Sequence, residues 1–309
     1  MPLHAWTSAR YVVPLPPGHR FPIEKYALLR DRVMAEGLVG PGHLHEPARA
    51  TRDALLRVHD AAYVDRLTSG TLGDAAMRRI GFPWSPDLVE RSLRAVGGTC
   101  EAADMALHEG VAVNLAGGTH HAFPSHGEGF CVFNDVAVAL HEQLARRRIA
   151  RAAVVDLDVH QGNGTHHIFA GDPRVFTFSM HGGRNYPFHK VPGDLDIELA
   201  DGTGDDEYLD RLSRALPVVL SRASPELVVY LAGADAHEGD RLGRLALTFD
   251  GLARRDHLVL ASCREVGIPV AVTIAGGYGR DVATTVEAHC RTVRVAGAYA
   301  SGGRALAGG

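Results

Sequence analysis

Ala152-Ala153-Val154-Val155-Asp156-Leu157-Asp158-Val159-His160 begins as an unbroken apolar run and then alternates acid or imidazole with leucine or valine. Continuous apolarity over so short a length fits a strand buried on both faces, as in a parallel sheet. Four further runs share that character: Val111-Ala112-Val113-Asn114-Leu115, Val175-Phe176-Thr177-Phe178, Leu227-Val228-Val229-Tyr230-Leu231 and Pro269-Val270-Ala271-Val272-Thr273-Ile274. Helical stretches lie between several of them, at residues 134–148, 205–223 and 250–266. Alternating strand and helix predicts one α/β domain over residues 1–309, with a central, mostly parallel sheet flanked by helices. Upstream, residues 4–18 read as proline-rich and irregular, and residues 24–35, 51–67 and 92–109 read as helices. Residues 296–309, rich in glycine and alanine, are expected to fray.

Composition narrows the class. The chain has 309 residues, 46% hydrophobic and 22% charged, which suits a soluble globular enzyme with a sizeable core. A formal net charge of −4 gives no global electrostatic case for nucleic-acid binding. Arg146-Arg147-Arg148 reads as a solvated helix end. Cys100, Cys131, Cys263 and Cys290 are far apart and form no CxxC pair, so buried thiols are expected and a disulfide framework is not. The first twenty residues lack the apolar region of a signal peptide, and no apolar run approaches the roughly 18 residues of a membrane span. The expectation is a cytoplasmic protein without membrane or nucleic-acid partners.

Almost every strand runs out into reactive residues: Gly117-Gly118-Thr119-His120-His121, Asp156-Leu157-Asp158-Val159-His160, Ser179-Met180-His181, Gly233-Ala234-Asp235 and Gly276-Gly277-Tyr278. In open parallel sheets, sites form at the carboxyl ends of the strands. Period-two alternation would place Asp156, Asp158 and His160 on one side. Asp158 and His160, with Asp235 from another strand end, make a three-ligand set that leaves a fourth metal position open, as in catalytic sites. The donor types suit zinc, and also iron or cobalt. A lone strand-end aspartate would more often cap the following helix; the combined pattern favours a metal.

His120 and His121 follow a Gly-Gly turn on a strand expected near that metal. An isolated histidine pair is more often a turn feature. Here, a base with a pKa near neutrality is what hydrolysis by metal-activated water requires. Each ring needs an orienting partner, and Asp156 and Asn163 are available. Gly276-Gly277-Tyr278-Gly279 adds a backbone that can approach a ligand closely and a hydroxyl able to donate to an oxyanion.

With these motifs assembled, the chain resembles the histone deacetylase and acetoin-utilisation superfamily, of arginase–deacetylase fold. The resemblance runs from about His19 to about His289. It is carried by Gly118-Thr119-His120-His121, Gly129-Phe130-Cys131-Val132-Phe133-Asn134-Asp135, residues 156–164, Gly233-Ala234-Asp235, Gly276-Gly277-Tyr278 and Val58-His59-Asp60-Ala61-Ala62-Tyr63-Val64. Residues 204–210 and 238–243 look most like class IV deacetylases and their bacterial relatives.

The resemblance implies one zinc ion on Asp158, His160 and Asp235, with His121 as main general base and His120 backed by Asp156. Asn163 stands where class I enzymes carry aspartate. It implies Tyr278 as oxyanion donor, and Gly129, Phe130, Tyr186 and Gly277 around the substrate, Phe130 and Tyr186 forming opposite channel walls. Asp156 and Ser179 match a structural K⁺ or Na⁺ site. The implied reaction is hydrolysis of an acyl-lysine amide, acetyl or longer, in a protein or peptide. The rivals are an acylpolyamine or other small-molecule amidohydrolase, a non-catalytic acyl-lysine reader, and a two-manganese ureohydrolase-like enzyme, which would need a second set of strand-end ligands.

Overall fold

The computed structural model describes residues 2–300. Eight strands form one sheet: β1 (His4–Trp6), β2 (Leu44–His45), β3 (Val111–Asn114), β4 (Ala152–Asp156), β5 (Val175–Gly182), β6 (Leu195–Leu199), β7 (Leu227–Leu231) and β8 (Val270–Thr273). Their order is β2-β1-β3-β8-β7-β4-β5-β6, and every neighbouring pair is parallel. The inner strands β3, β8, β7 and β4 are buried along their whole length.

Successive side chains on these strands feed two separate cores, as period two demands. Ala153, Val155, Val228 and Tyr230 join the core beneath α1 (Lys25–Ala35), α8 (Asp205–Ala223), α9 (Phe249–Glu265) and α10 (Val282–Ala300). Ala152, Val154, Leu227 and Val229 join the core on the other face. There α3 (Ala61–Thr68), α4 (Asp74–Ile80), α5 (Pro86–Glu109) and α6 (Asp135–Ala145) bury their apolar sides. Each fully buried Val or Leu contributes roughly 1.5–3 kcal/mol of hydrophobic stabilisation.

The fold departs from the sequence expectation in several places. Residues 51–67 are not one helix: α2 (Arg52–Leu55) stops, and α3 starts after Asp60, whose N–H donates to Pro124 O at 2.9 Å. The irregular N-terminal segment contributes β1, whose first residue is His4 and which pairs directly with β3. The helix expected at 92–109 begins earlier, at Pro86, behind the N-cap Ser85, whose Oγ accepts from Leu88 N at 3.0 Å. Residues 296–300 continue α10 and do not fray, while residues 301–309 lie outside the described residues. Strand β4 ends at Asp156, so Asp158 and His160 sit on the turn beyond it.

One consequence of the strand order positions the site. Strands β3, β8, β7 and β4 are consecutive neighbours. The loops leaving their carboxyl ends carry, in the same order, His120 and His121, Tyr278, Asp235, and Asp158 with His160. Four segments far apart in sequence therefore meet at one edge of the sheet. Among the described residues, no helix is long and apolar enough to cross a membrane.

Candidate active site at the carboxyl edge of the sheet

The turn after β3 is held by Asp135, at the start of α6. Its buried carboxylate accepts from Gly118 N at 3.0 Å, Thr119 N at 2.7 Å and Thr119 Oγ1 at 2.5 Å. Asn134 caps α6 through Oδ1, which accepts from Ala137 N at 3.0 Å, and its Nδ2 donates to Ala122 O at 3.1 Å. The Asn134-Asp135 pair thus fixes the loop that presents His120 and His121.

The two rings lie 4.1 Å apart, centroid to centroid, and both are buried. Their partners differ in charge. His120 Nδ1 meets Asp156 Oδ2 at 2.6 Å, whereas His121 Nδ1 meets Asn163 Oδ1 at 2.7 Å. Burial pulls the His120 pKa down, but the Asp156 carboxylate more than offsets it and holds the group up at about 9. His121 has no such anion; burial and the neighbouring His120 and His160 keep it well below its ordinary value. Asn163 Nδ2 donates in turn to Glu128 Oε1 at 2.8 Å, which settles which end of the amide faces His121.

Beside this pair, Asp158, His160 and Asp235 bring one ligand atom each within 4.8 Å of one another, all three buried. It is the one such group found among the described residues. His160 Nδ1 faces both carboxylates, at 2.9 Å from Asp158 Oδ1 and 3.2 Å from Asp235 Oδ2. Asp235 Oδ2 nevertheless has no hydrogen-bond partner. Burial, then the charge of Asp158, raises the Asp235 carboxyl to about 7. Two buried carboxylates and an imidazole with an orphaned oxygen fit a divalent cation. Gly276 leaves the cradle open: its N–H donates to Asp158 Oδ2 at 2.7 Å, and a Cβ there would collide with both carboxylates.

Tyr278 lines the same cavity as His120, His121, Asp158 and His160. Its backbone is clamped by Asp240, whose Oδ2 accepts from Tyr278 N at 2.6 Å. Lys25, buried in α1, donates to Gly277 O at 3.3 Å, and its Nζ sits 5.4 Å from the Tyr278 ring centroid. Burial, then the carboxylates of Asp158 and Asp235, keeps the phenol well above its ordinary pKa, so the hydroxyl stays a donor.

Phe130 and Tyr186 both line the approach to this cavity. Phe130, at φ 65°, lies 5.9 Å from the Tyr278 ring; Tyr186 meets His121 edge-on at 4.9 Å. Gly129 lets the channel close here, since a Cβ would come 2.7 Å from His121 Cδ2 and 3.2 Å from Tyr186 Cε1. Gly277, whose carbonyl Lys25 holds, lies behind Tyr278 against His289. Asp156 and Ser179 are register partners on β4 and β5, with Ser179 Oγ 3.0 Å from His181 Nδ1.

Glu128, Lys25, Asp240 and Arg255 belong to the site's frame but were not among the residues singled out in the sequence. Arg255, fully buried in α9, donates from Nη1 to Gly233 O at 2.7 Å and Leu157 O at 3.3 Å, just ahead of Asp235 and Asp158. Its counter-ion is the adjacent Asp256, at 2.8 Å. A buried arginine at this helical spacing reads in sequence as an ordinary surface residue.

Comparison with known proteins agrees with this geometry. The family model of the histone deacetylase domain matches residues 19–293. An uncharacterized protein of Picosynechococcus sp. is 48% identical over 286 residues, covering 93% of this chain and 95% of that one. Histone deacetylase 2 of Arabidopsis thaliana is 34% identical over 277 residues, covering 87% of this chain and 72% of that one. A crystal structure of an HDAC homolog complexed with SAHA superposes with a TM-score of 0.85 at 26% identity, over 96% of this chain and 84% of that one. The chain belongs to the histone deacetylase family.

Proposed function

We propose that this protein is a zinc-dependent deacylase that hydrolyses the amide of an acyl-lysine. The observation that carries the reading is the convergence of a buried Asp158–His160–Asp235 group, two differently partnered histidines and a tyrosine hydroxyl in one cavity. Asp158, His160 and Asp235 would hold the metal, and their one-nitrogen, two-carboxylate donor set suits zinc. A zinc ion bound there supplies a Lewis acid that polarises a carbonyl and makes a water more acidic.

The chain's own groups handle the protons. His121 keeps its proton on Nδ1, against Asn163 Oδ1, which leaves Nε2 as the lone-pair nitrogen that accepts a proton from the attacking water. His120, against the Asp156 carboxylate, carries positive charge and can return a proton to the leaving amine. This division of labour rests on the different partners of the two rings. The Tyr278 hydroxyl donates to the oxygen that becomes negative as the carbonyl is attacked. Gly129, Phe130 and Tyr186 line the approach and would enclose the lysine stem, while Gly277, behind Tyr278, supports that tyrosine from outside the channel. A monovalent cation, K⁺ or Na⁺, would sit near Asp156 and Ser179 and steady the strand ends behind His120.

Two further points bear on the substrate. A second cavity adjoins the first through Phe21, Tyr26 and Phe130 and continues past Val13, Ile23 and Leu88. It is small, about 50 Å³, and Arg91, Ser92 and Thr119 stand among its largely apolar walls, so it suits a short acyl group; longer chains rest on the class IV resemblance alone. The complete ligand set and Tyr278 weigh against a non-catalytic reader. The test is acyl release from an Nε-acyl-lysine peptide by wild type and His121→Ala. The variant should keep its metal and lose about 10²–10⁴-fold in turnover. Near-normal turnover would remove His121 as the base.

A further inference from the structure

Six arginines ring the mouth of the channel. A cavity of about 700 Å³ leads from solvent to His121, His160 and Tyr278, and Arg20, Arg78, Arg79, Arg184, Arg241 and Arg244 line it with no acidic residue among the lining. All six are exposed. They come from four separate parts of the chain: the segment before α1, the end of α4, the loop after β5 and the loop after β7. Only Arg184 and Arg244 have an ion-pair partner among the described residues, and they share one carboxylate, Asp201, at 3.4 and 3.1 Å. Arg241 spends its hydrogen bonds on the neutral carbonyls of Tyr278 and Arg20. The chain as a whole is acidic, at −4, so a cationic mouth is not a by-product of overall composition.

We infer that this ring selects an anionic carrier: a peptide segment in which acidic residues flank the acyl-lysine. The inference rests on the deacylase reading and narrows its substrate class. On the deacylase reading the lysine stem enters through the cavity that Phe130 and Tyr186 line together with the arginines, so neighbouring residues of the peptide come to rest among those arginines. Guanidinium groups in several orientations suit carboxylates, which they can bind bidentately. An acylpolyamine brings further ammonium groups to the same rim, where they meet like charge. The rim therefore also separates two readings that the shared amide chemistry leaves equal.

The experiment compares three peptides with a central Nε-acetyl-lysine, flanked on both sides by Glu, Gln or Lys, together with N-acetylspermidine. At low ionic strength kcat/KM should fall in the order Glu, Gln, Lys, with about tenfold between the extremes, as expected from a few exposed ion pairs replaced by repulsions. The difference should lie in KM, and should shrink in about 0.5 M salt, where the Debye length is only a few ångströms. In the triple variant Arg78→Gln, Arg79→Gln, Arg184→Gln the ratio should fall towards one. Equal or reversed preference, or a preference indifferent to salt and to the triple variant, would overturn the inference. Fluorescence anisotropy of the labelled peptides reads the rim independently of turnover. Tighter binding of the Glu peptide with no hydrolysis of any substrate would uphold the rim and refute the deacylase reading. Hydrolysis of all three peptides at equal rates would do the reverse.

Discussion

His59 should make this protein acid-sensitive, and the size of the effect follows from its surroundings. The ring is buried in the break between α2 and α3. Nδ1 donates to Phe123 O at 3.0 Å and Nε2 accepts from Asn134 N at 3.0 Å, which fixes the neutral form. Burial lowers its pKa from 6.5 to about 4. The unfolded chain therefore takes up a proton near pH 6.5 that the folded chain refuses until about pH 4. The stabilisation is present in full above pH 6.5 and is lost progressively as pH falls to about 4. At pH 5 the loss amounts to about 2 kcal/mol from this group alone. Glutamine cannot titrate and can still offer a donor and an acceptor. In urea melts followed by the fluorescence of Trp6 and Trp84, the stability difference between pH 7.5 and pH 5 should be about 2 kcal/mol smaller in His59→Gln than in wild type. An unchanged difference would mean that His59 is protonated in the fold, and the assigned hydrogen bonds would be wrong.

Two further predictions address the site. Tyr278→Phe keeps the ring and deletes only the hydroxyl, so turnover should fall about 10²–10³-fold with metal content and Tm unchanged; equal turnover would remove Tyr278 from the mechanism. Arg255→Met should cost about 3–5 kcal/mol of stability, because it strands Asp256 as a buried charge that Tyr230 Oη and Thr292 Oγ1 alone would serve. A Tm within a degree or two of wild type would show that the Gly233 and Leu157 carbonyls do not need that guanidinium.

The inner sheet was legible because β3, β4, β7 and β8 are buried on both faces and so carry unbroken apolar, β-branched runs. The edges were not. Strands β1 and β2 span three and two residues, and β6 is half-exposed, so none has an apolar run to detect. The α2–α3 break was hidden for another reason: helical periodicity continues across it, and what interrupts the helix is tertiary, the bonds of His59 and Asp60 to the Phe123-Pro124 segment. In the site, Asp158, His160 and Asp235 stood out as polar residues ending apolar strands. Glu128 and Asp240 lie in loops without periodic signal, and Lys25 and Arg255 sit on helices where cations are usually solvated. Their roles depend on contacts across more than 20 positions of sequence, such as Lys25 with Gly277. The arginine ring is similarly scattered along the chain and exists only once the loops meet.

Metal content and amide hydrolysis measured together on wild type and Asp235→Asn test the central claim most directly. Asparagine preserves the shape of the side chain while removing the charge and weakening the ligand. Wild type loaded with zinc should retain one ion per chain and hydrolyse an Nε-acyl-lysine peptide. Asp235→Asn should remain folded, hold the ion poorly and lose most of its turnover. A variant that kept both its bound zinc and its turnover would contradict the three-residue metal centre, and with it the assignment of this cavity as a zinc-dependent active site.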